Sequence, residues 1–120
     1  IRLPHRSSER VGGVSVREIV LAHLDKTRPA LILTREPARG AMTKVTIAPI
    51  TSTIKGLTSE VAVGSVNGLD GDGVASLDNV LTIPVSRLGR HIGFLTADQE
   101  RNLARAVVLA FDLDVPLAAG

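Results

Sequence analysis

Two apolar runs of strand length set the frame of this chain: residues 26–34, KTRPALILT, and residues 44–52, KVTIAPITS. Each carries one polar group at its mouth, Arg28 in the first and Thr51 in the second. Pro29 fixes its own backbone angle and pushes the residue before it toward extended geometry. Arg28 is therefore held at the entry of a strand rather than on a loose turn. If both runs lie side by side in one sheet, a guanidinium and a hydroxyl meet at its rim. That pair suits a phosphate, because Arg offers a rigid fork of donors with permanent charge and Thr adds a neutral hydrogen bond.

The neighbouring segments supply more short strands. Residues 16–25, VREIVLAHLD, are near-continuously apolar and rich in β-branched side chains, which reads as strand 1. Only Lys26-Thr27 separate it from strand 2 at residues 28–34, implying a tight hairpin or an irregular turn. Residues 35–43 form a loop. In Lys44–Thr51, Val45 and Ile47 alternate with Lys44 and Thr46, a half-buried strand that Pro49 assigns to an edge or a bulge. A loop at 52–58 turns at Gly56, and a brief strand follows at 59–63. The glycine-rich stretch 64–73, GSVNGLDGDG, has neither calcium-loop nor dinucleotide-binding spacing and reads as a hairpin loop.

Residues 74–78 and 80–83 are two short strands, or one strand bent near Asn79. One helical turn at 86–89 precedes a last strand at 90–95. Thr96 then opens a helix, with Gln99 completing a capping box and Asp98 favourable in the first turn. Leu103, Ala106, Val107, Ala110 and Phe111 recur at helical spacing and predict one apolar face, and the helix stops near Leu113, before Pro116. The fold class is thus mainly β: a barrel of short strands closed by a C-terminal helix. Residues 14–120 form one domain, and the polar segment 1–13 reads as a flexible arm or a remnant of processing.

Composition removes several chemistries. There is no cysteine, which excludes disulfides, zinc ribbons and thiol catalysis. His5, His23 and His91 are not at ligand spacing, so no metal site and no cofactor is expected. Phe94 and Phe111 are the only aromatic residues, which argues against base-stacking platforms. Any nucleic acid would be held by charge and hydrogen bonds. Net charge is +2 but uneven: residues 1–60 carry ten Lys/Arg against five Asp/Glu, and residues 61–120 four against seven. That split fits an anionic partner for one face, or an ordinary solvated surface plus a basic tail. No run reaches membrane-spanning length and no signal-peptide pattern is present, so a cytoplasmic protein is expected.

Across residues 15–114 the chain resembles the MazF/PemK toxins of bacterial toxin–antitoxin systems. The resemblance rests on three motifs in order: Arg28-Pro29-Ala30 with its apolar run, Ala48-Pro49-Ile50-Thr51-Ser52, and LDNVLTI at 77–83 followed by SRLGR at 86–90. It implies an SH3-like barrel, usually a homodimer, that cuts single-stranded RNA at short sequences without a metal. It also implies a cognate antitoxin, MazE-like, whose acidic or amphipathic tail covers the active surface. The family's catalytic Arg and Thr fall on Arg28 and Thr51, the residues the strand-mouth argument selects. Ser52, Lys55, Asp78 and Asn79 match its RNA-facing surface.

In such a reaction the ribose 2′-OH attacks its own phosphodiester, and donors placed in advance stabilise the charge on the phosphoryl oxygens. The resemblance implies Arg28 as that donor, able also to protonate the leaving oxygen, and Thr51 as the group that holds a phosphate oxygen. Asp25, His23 and Glu36 are within reach as a base, and none is singled out. His91 reads as a tucked strand residue. Two departures stand out. Family members usually carry about ten residues between strands 1 and 2, often with G-S-E and a His; here Lys26-Thr27 leave either a missing segment or an open site. The usual D-Q-I-R-T-I reads Asp78-Asn79-Val80-Leu81-Thr82-Ile83, which should alter base selection or weaken binding. An alternative reading is a catalytically weak relative that blocks a protein target, as the gyrase poisons of this fold do.

Overall fold

The computed structural model describes residues 17–35 and 42–115. Val16, the arm at 1–13, Glu36 and most of the loop 35–43 lie outside the described residues. The strands are β1 (Glu18–His23), β2 (Thr27–Ile32), β3 (Lys44–Thr51), β4 (Glu60–Val63), β5 (Gly73–Ser76), β6 (Leu81–Pro84) and β7 (Leu88–Phe94), followed by one helix, α1 (Ala97–Ala110). They form one curled antiparallel sheet in the order β4-β5-β3-β2-β1-β7, with β6 also paired to β3. This is the mainly β, SH3-like architecture with a C-terminal helix.

β1 and β2 are shorter than expected, and the join between them is Leu24-Asp25-Lys26. His23 pairs with Thr27, and the Leu24 N–H donates to the Lys26 carbonyl at 3.3 Å. The hairpin closes over this three-residue join.

β3 is not an edge strand, contrary to what Pro49 suggested. It pairs with β2 along one edge; along the other it pairs with β6 at Lys44–Ile47 and then with β5 at Ile50 and Thr51. The Leu33 N–H donates to the Thr46 carbonyl at 2.8 Å. Antiparallel pairs alternate between bonded and non-bonded, so the Ala30–Pro49 pair is a non-bonded one. The nitrogen of Pro49 therefore faces the opposite edge, in the gap where β6 has ended and β5 has not begun. A central strand tolerates proline there because no ladder bond is lost.

The curl buries both faces of the sheet. Ile19, Leu31, Ile50, Val61 and Leu77 pack under α1 with Leu103 and Ala106. Val20, Ile32, Val45, Ile47 and Ile83 form a second core on the other side. Adjacent residues Ile19–Val20 and Leu31–Ile32 thus enter different cores, which explains why β1 and β2 read as continuous rather than alternating apolar runs.

The helix begins as its sequence predicts. Thr96 is the N-cap: its Oγ1 accepts the Gln99 N–H at 3.2 Å, and Gln99 Oε1 accepts the Thr96 N–H at 2.9 Å. Arg17 ties α1 to the sheet, donating to both Glu100 carboxylate oxygens and to the Leu33 carbonyl at 2.9 Å. Phe111 departs from the expected apolar face. It is the C-cap, past the last helical turn, and is 52% exposed. The bend at Asn79 is a short 3-10 turn, Leu77–Asn79, between β5 and β6. No described helix is long and apolar enough to cross a membrane.

Candidate active site

The strands that meet at β3 carry the site. Arg28 is the second residue of β2, paired across the hairpin to Ala22, and Thr51 ends β3 beside Val74 of β5. Both residues are half-buried, and they line two open hollows that meet at them. The first, about 450 Å³, continues past Lys55, Glu60, Ser76, Asp78 and Asn79. The second, about 380 Å³, continues past Lys26, Ser52, Asp70 and Asp72. All six residues named from the sequence therefore line one hollow or the other. Arg28 and Thr51 line both.

The hydrogen bonding where the two hollows meet is incomplete. Among the described residues the Arg28 guanidinium has no ion pair, and its Nε is buried without a hydrogen-bond partner. A buried donor left unmet is costly. Thr51 Oγ1 accepts the Thr53 N–H at 3.1 Å. That contact uses a lone pair and leaves the hydroxyl proton free to be donated. Cation and hydroxyl together present donors at the place where the two hollows meet.

The walls of the first hollow are braced from within. The Glu60 carboxylate accepts the N–H groups of Lys55, Gly56 and Leu57, the Gly56 contact at 2.9 Å. Gly56 sits at φ 77°, the left-handed conformation that lets these donors converge. Asp78 accepts the hydroxyl of Ser59, and Asn79 Nδ2 donates to Ser76 Oγ at 2.8 Å. Glu60 was not foreseen, although an acid four residues beyond a Lys-Gly turn is the local pattern of such a clamp.

Of the three residues named as bases, the two described ones, His23 and Asp25, are not part of either wall. His23 is exposed, with Nδ1 at 3.0 Å from Thr27 Oγ1. Asp25 accepts the Lys26 N–H at 2.9 Å. Neither lines either of these two hollows, and Glu36 lies outside the described residues. His91 is partly exposed rather than tucked in. Its Nδ1 lies 2.6 Å from Glu18, a carboxylate only 1% exposed, away from the site.

A curled SH3-like sheet with Arg28 on β2 and Thr51 at the end of β3 lining the same two open hollows defines the class: a small, mainly β barrel with a C-terminal helix. The known proteins it is similar to sharpen that class. Residues 15–111 match the model of the PemK-like, MazF-like toxins of type II toxin–antitoxin systems. Endoribonuclease MazF3 of Mycobacterium tuberculosis is 58% identical over 99 residues, which is 82% of this chain and 96% of that protein. The solved structure of the Mycobacterium tuberculosis toxin MazF-mt6 superposes with a TM-score of 0.81 at 57% identity, covering 82% of this chain and 100% of that one. An endoribonuclease in complex with its cognate antitoxin, from a mycobacterial species, shares the fold at 23% identity and a TM-score of 0.73, over 82% of this chain and 95% of that one. The chain belongs to the PemK-like, MazF-like toxin family.

Proposed function

We propose that this chain is an endoribonuclease toxin that cuts single-stranded RNA at short sequences, with Arg28 and Thr51 acting on the scissile phosphate. One observation carries the reading. The family's two reactive side-chain types share the same pair of open hollows, and both have donors free for an incoming anion.

The step follows from that arrangement. A ribose 2′-oxygen attacks the adjacent phosphorus and the bond from phosphorus to the 5′-oxygen breaks, leaving a 2′,3′-cyclic phosphate and a 5′-OH. The proton lost at the 2′-oxygen and the one gained at the 5′-oxygen balance. Negative charge grows on the non-bridging oxygens, where preorganised donors are worth most. Arg28 supplies a charged donor there and Thr51 a neutral one. Arg28 stays protonated and is no base, so we assign proton removal to water rather than to His23 or Asp25. The step as written uses no metal ion.

Ser52, Lys55, Asp78 and Asn79 then contact the flanking nucleotides, since they line the hollows on either side of the pair. Membership of a type II toxin family supports a cognate antitoxin that covers this face, a homodimeric assembly and a cytoplasmic site of action. A relative that merely blocked a protein would have no use for Arg28 and Thr51 together.

The test is to incubate the purified protein with RNA, with and without a chelator, and to sequence the 5′-OH ends. Discrete cuts that persist with chelator and vanish in Arg28→Ala are expected. Cleavage by Arg28→Ala at the unmutated rate would remove that residue from the mechanism, and absence of 5′-OH ends would reject the enzyme reading.

A further inference from the structure

The turn at 55–57, which carries Lys55 into the first hollow, is held by the carboxylate of a single side chain. Glu60 Oε1 accepts three successive N–H groups, from Lys55 at 3.3 Å, Gly56 at 2.9 Å and Leu57 at 3.2 Å. Its Oε2 accepts the Lys55 N–H as well, at 3.3 Å. The clamp is itself anchored: Glu60 opens β4 opposite Ser76 of β5, and its own N–H donates to the Leu57 carbonyl at 3.1 Å.

A bare carboxylate lining a hollow for a phosphate chain would repel that chain. Here the N–H dipoles converge on the charge and hold it against the backbone. Glu60 thus binds the main chain of Lys55 and not its cation, and the Lys55 ammonium has no ion pair among the described residues. That ammonium lines the same hollow as Arg28 and Thr51. Fixing the root of a long side chain lowers the entropy lost when its tip meets a ligand. We propose that Glu60 is a positioning residue for RNA binding, pinning the 55–57 turn so that Lys55 meets a backbone phosphate beside the one engaged by Arg28 and Thr51. This rests on the RNA-cleaving role proposed above.

The experiment measures affinity of the full chain for a pool of 2′-O-methyl RNA, which lacks the attacking hydroxyl and stays uncut. Lys55→Ala should weaken binding about threefold or more at low salt. Glu60→Ala should weaken it at least as much, and Glu60→Gln, which keeps an acceptor for the turn, should fall between Glu60→Ala and the unmutated protein. Adding Lys55→Ala to Glu60→Ala should cost less than about twofold more, because residues acting through one contact are not independent. Loss of charge alone predicts the opposite sign: tighter binding of the polyanion, equally in the Ala and Gln variants. Unchanged or tighter binding by Glu60→Ala, unchanged binding by Lys55→Ala, or losses that multiply in the double variant each overturn the positioning role and leave the nuclease intact. Should Glu60→Ala fail to fold, Gly56→Ala strains the same turn at φ 77°, with no atom within 4 Å of the added Cβ. It should weaken binding in the same sense, and unchanged affinity there overturns the proposal. No RNA binding and no 5′-OH ends from the unmutated protein would instead overturn the nuclease reading, and this role with it.

Discussion

Asn67 and Gln99 are bonded to each other twice: Asn67 Nδ2 donates to Gln99 Oε1 at 2.6 Å, and Gln99 Nε2 donates to Asn67 Oδ1 at 3.0 Å. Asn67 is 1% exposed and also bonds the Gly64 N–H and the Phe94 carbonyl, at 3.0 and 2.8 Å. Gln99 is at the same time half of the α1 capping box. One amide pair therefore joins the β4–β5 loop, the end of β7 and the start of the helix. Asn67→Ala should cost about 2–4 kcal/mol, because buried donors and acceptors lose their partner together. Urea unfolding followed by circular dichroism measures it; a loss below about 0.5 kcal/mol would mean water replaces the amide.

Arg28 behaves in the opposite way. Its guanidinium makes no internal hydrogen bond or ion pair among the described residues, so Arg28→Ala should leave the unfolding midpoint nearly unchanged. Cleavage should fall on the order of a hundredfold or more, and growth arrest on expression should disappear. Arg28→Lys, which keeps charge but loses the fork, should recover only part of the rate. A protein-blocking toxin would instead keep its growth arrest in Arg28→Ala.

Thr51 should separate by its hydroxyl. Thr51→Val is nearly isosteric and gives up one exposed contact, to the Thr53 N–H. Stability should change by less than about 1 kcal/mol, while kcat falls at least about tenfold. Thr51→Ser keeps the donor and should retain most of the turnover. Single-turnover cleavage assays of both variants decide the point, and equal rates for Val and Thr would dismiss the hydroxyl.

Gly73 controls where Thr51 can be. A Cβ on Gly73 would lie 2.6 Å from the Thr51 carbonyl oxygen and 3.3 Å from its carbon, both backbone atoms. Gly73→Ala should push β5 from the end of β3, destabilising the protein by about 1–3 kcal/mol and lowering kcat beyond that effect. Assaying well below the melting transition separates the two. Full activity there would show that the strand end adjusts freely.

Much of the architecture is local in origin. β-branched runs, the Arg28-Pro29 dipeptide, the glycine-rich 64–73 stretch and the Thr96–Gln99 box each act over a few residues, so strands, turn and helix start are readable in sequence. Pro49 misled because its effect depends on which edge its nitrogen faces, and that is set by two other strands. Phe111 misled because helical spacing continues one residue beyond the last turn that packs.

The sequence by itself determined the two strand mouths, since proline geometry and apolar runs act within one segment, and so it named Arg28 and Thr51. Tertiary structure decided what surrounds them. Pairing of Thr51 with Val74 brings the 64–73 loop, with Asp70 and Asp72, to a site about twenty residues away in the chain, and the Glu60 clamp shapes the opposite wall. Register between strands depends on the whole sheet closing around its two cores, and no stretch of sequence holds that information alone.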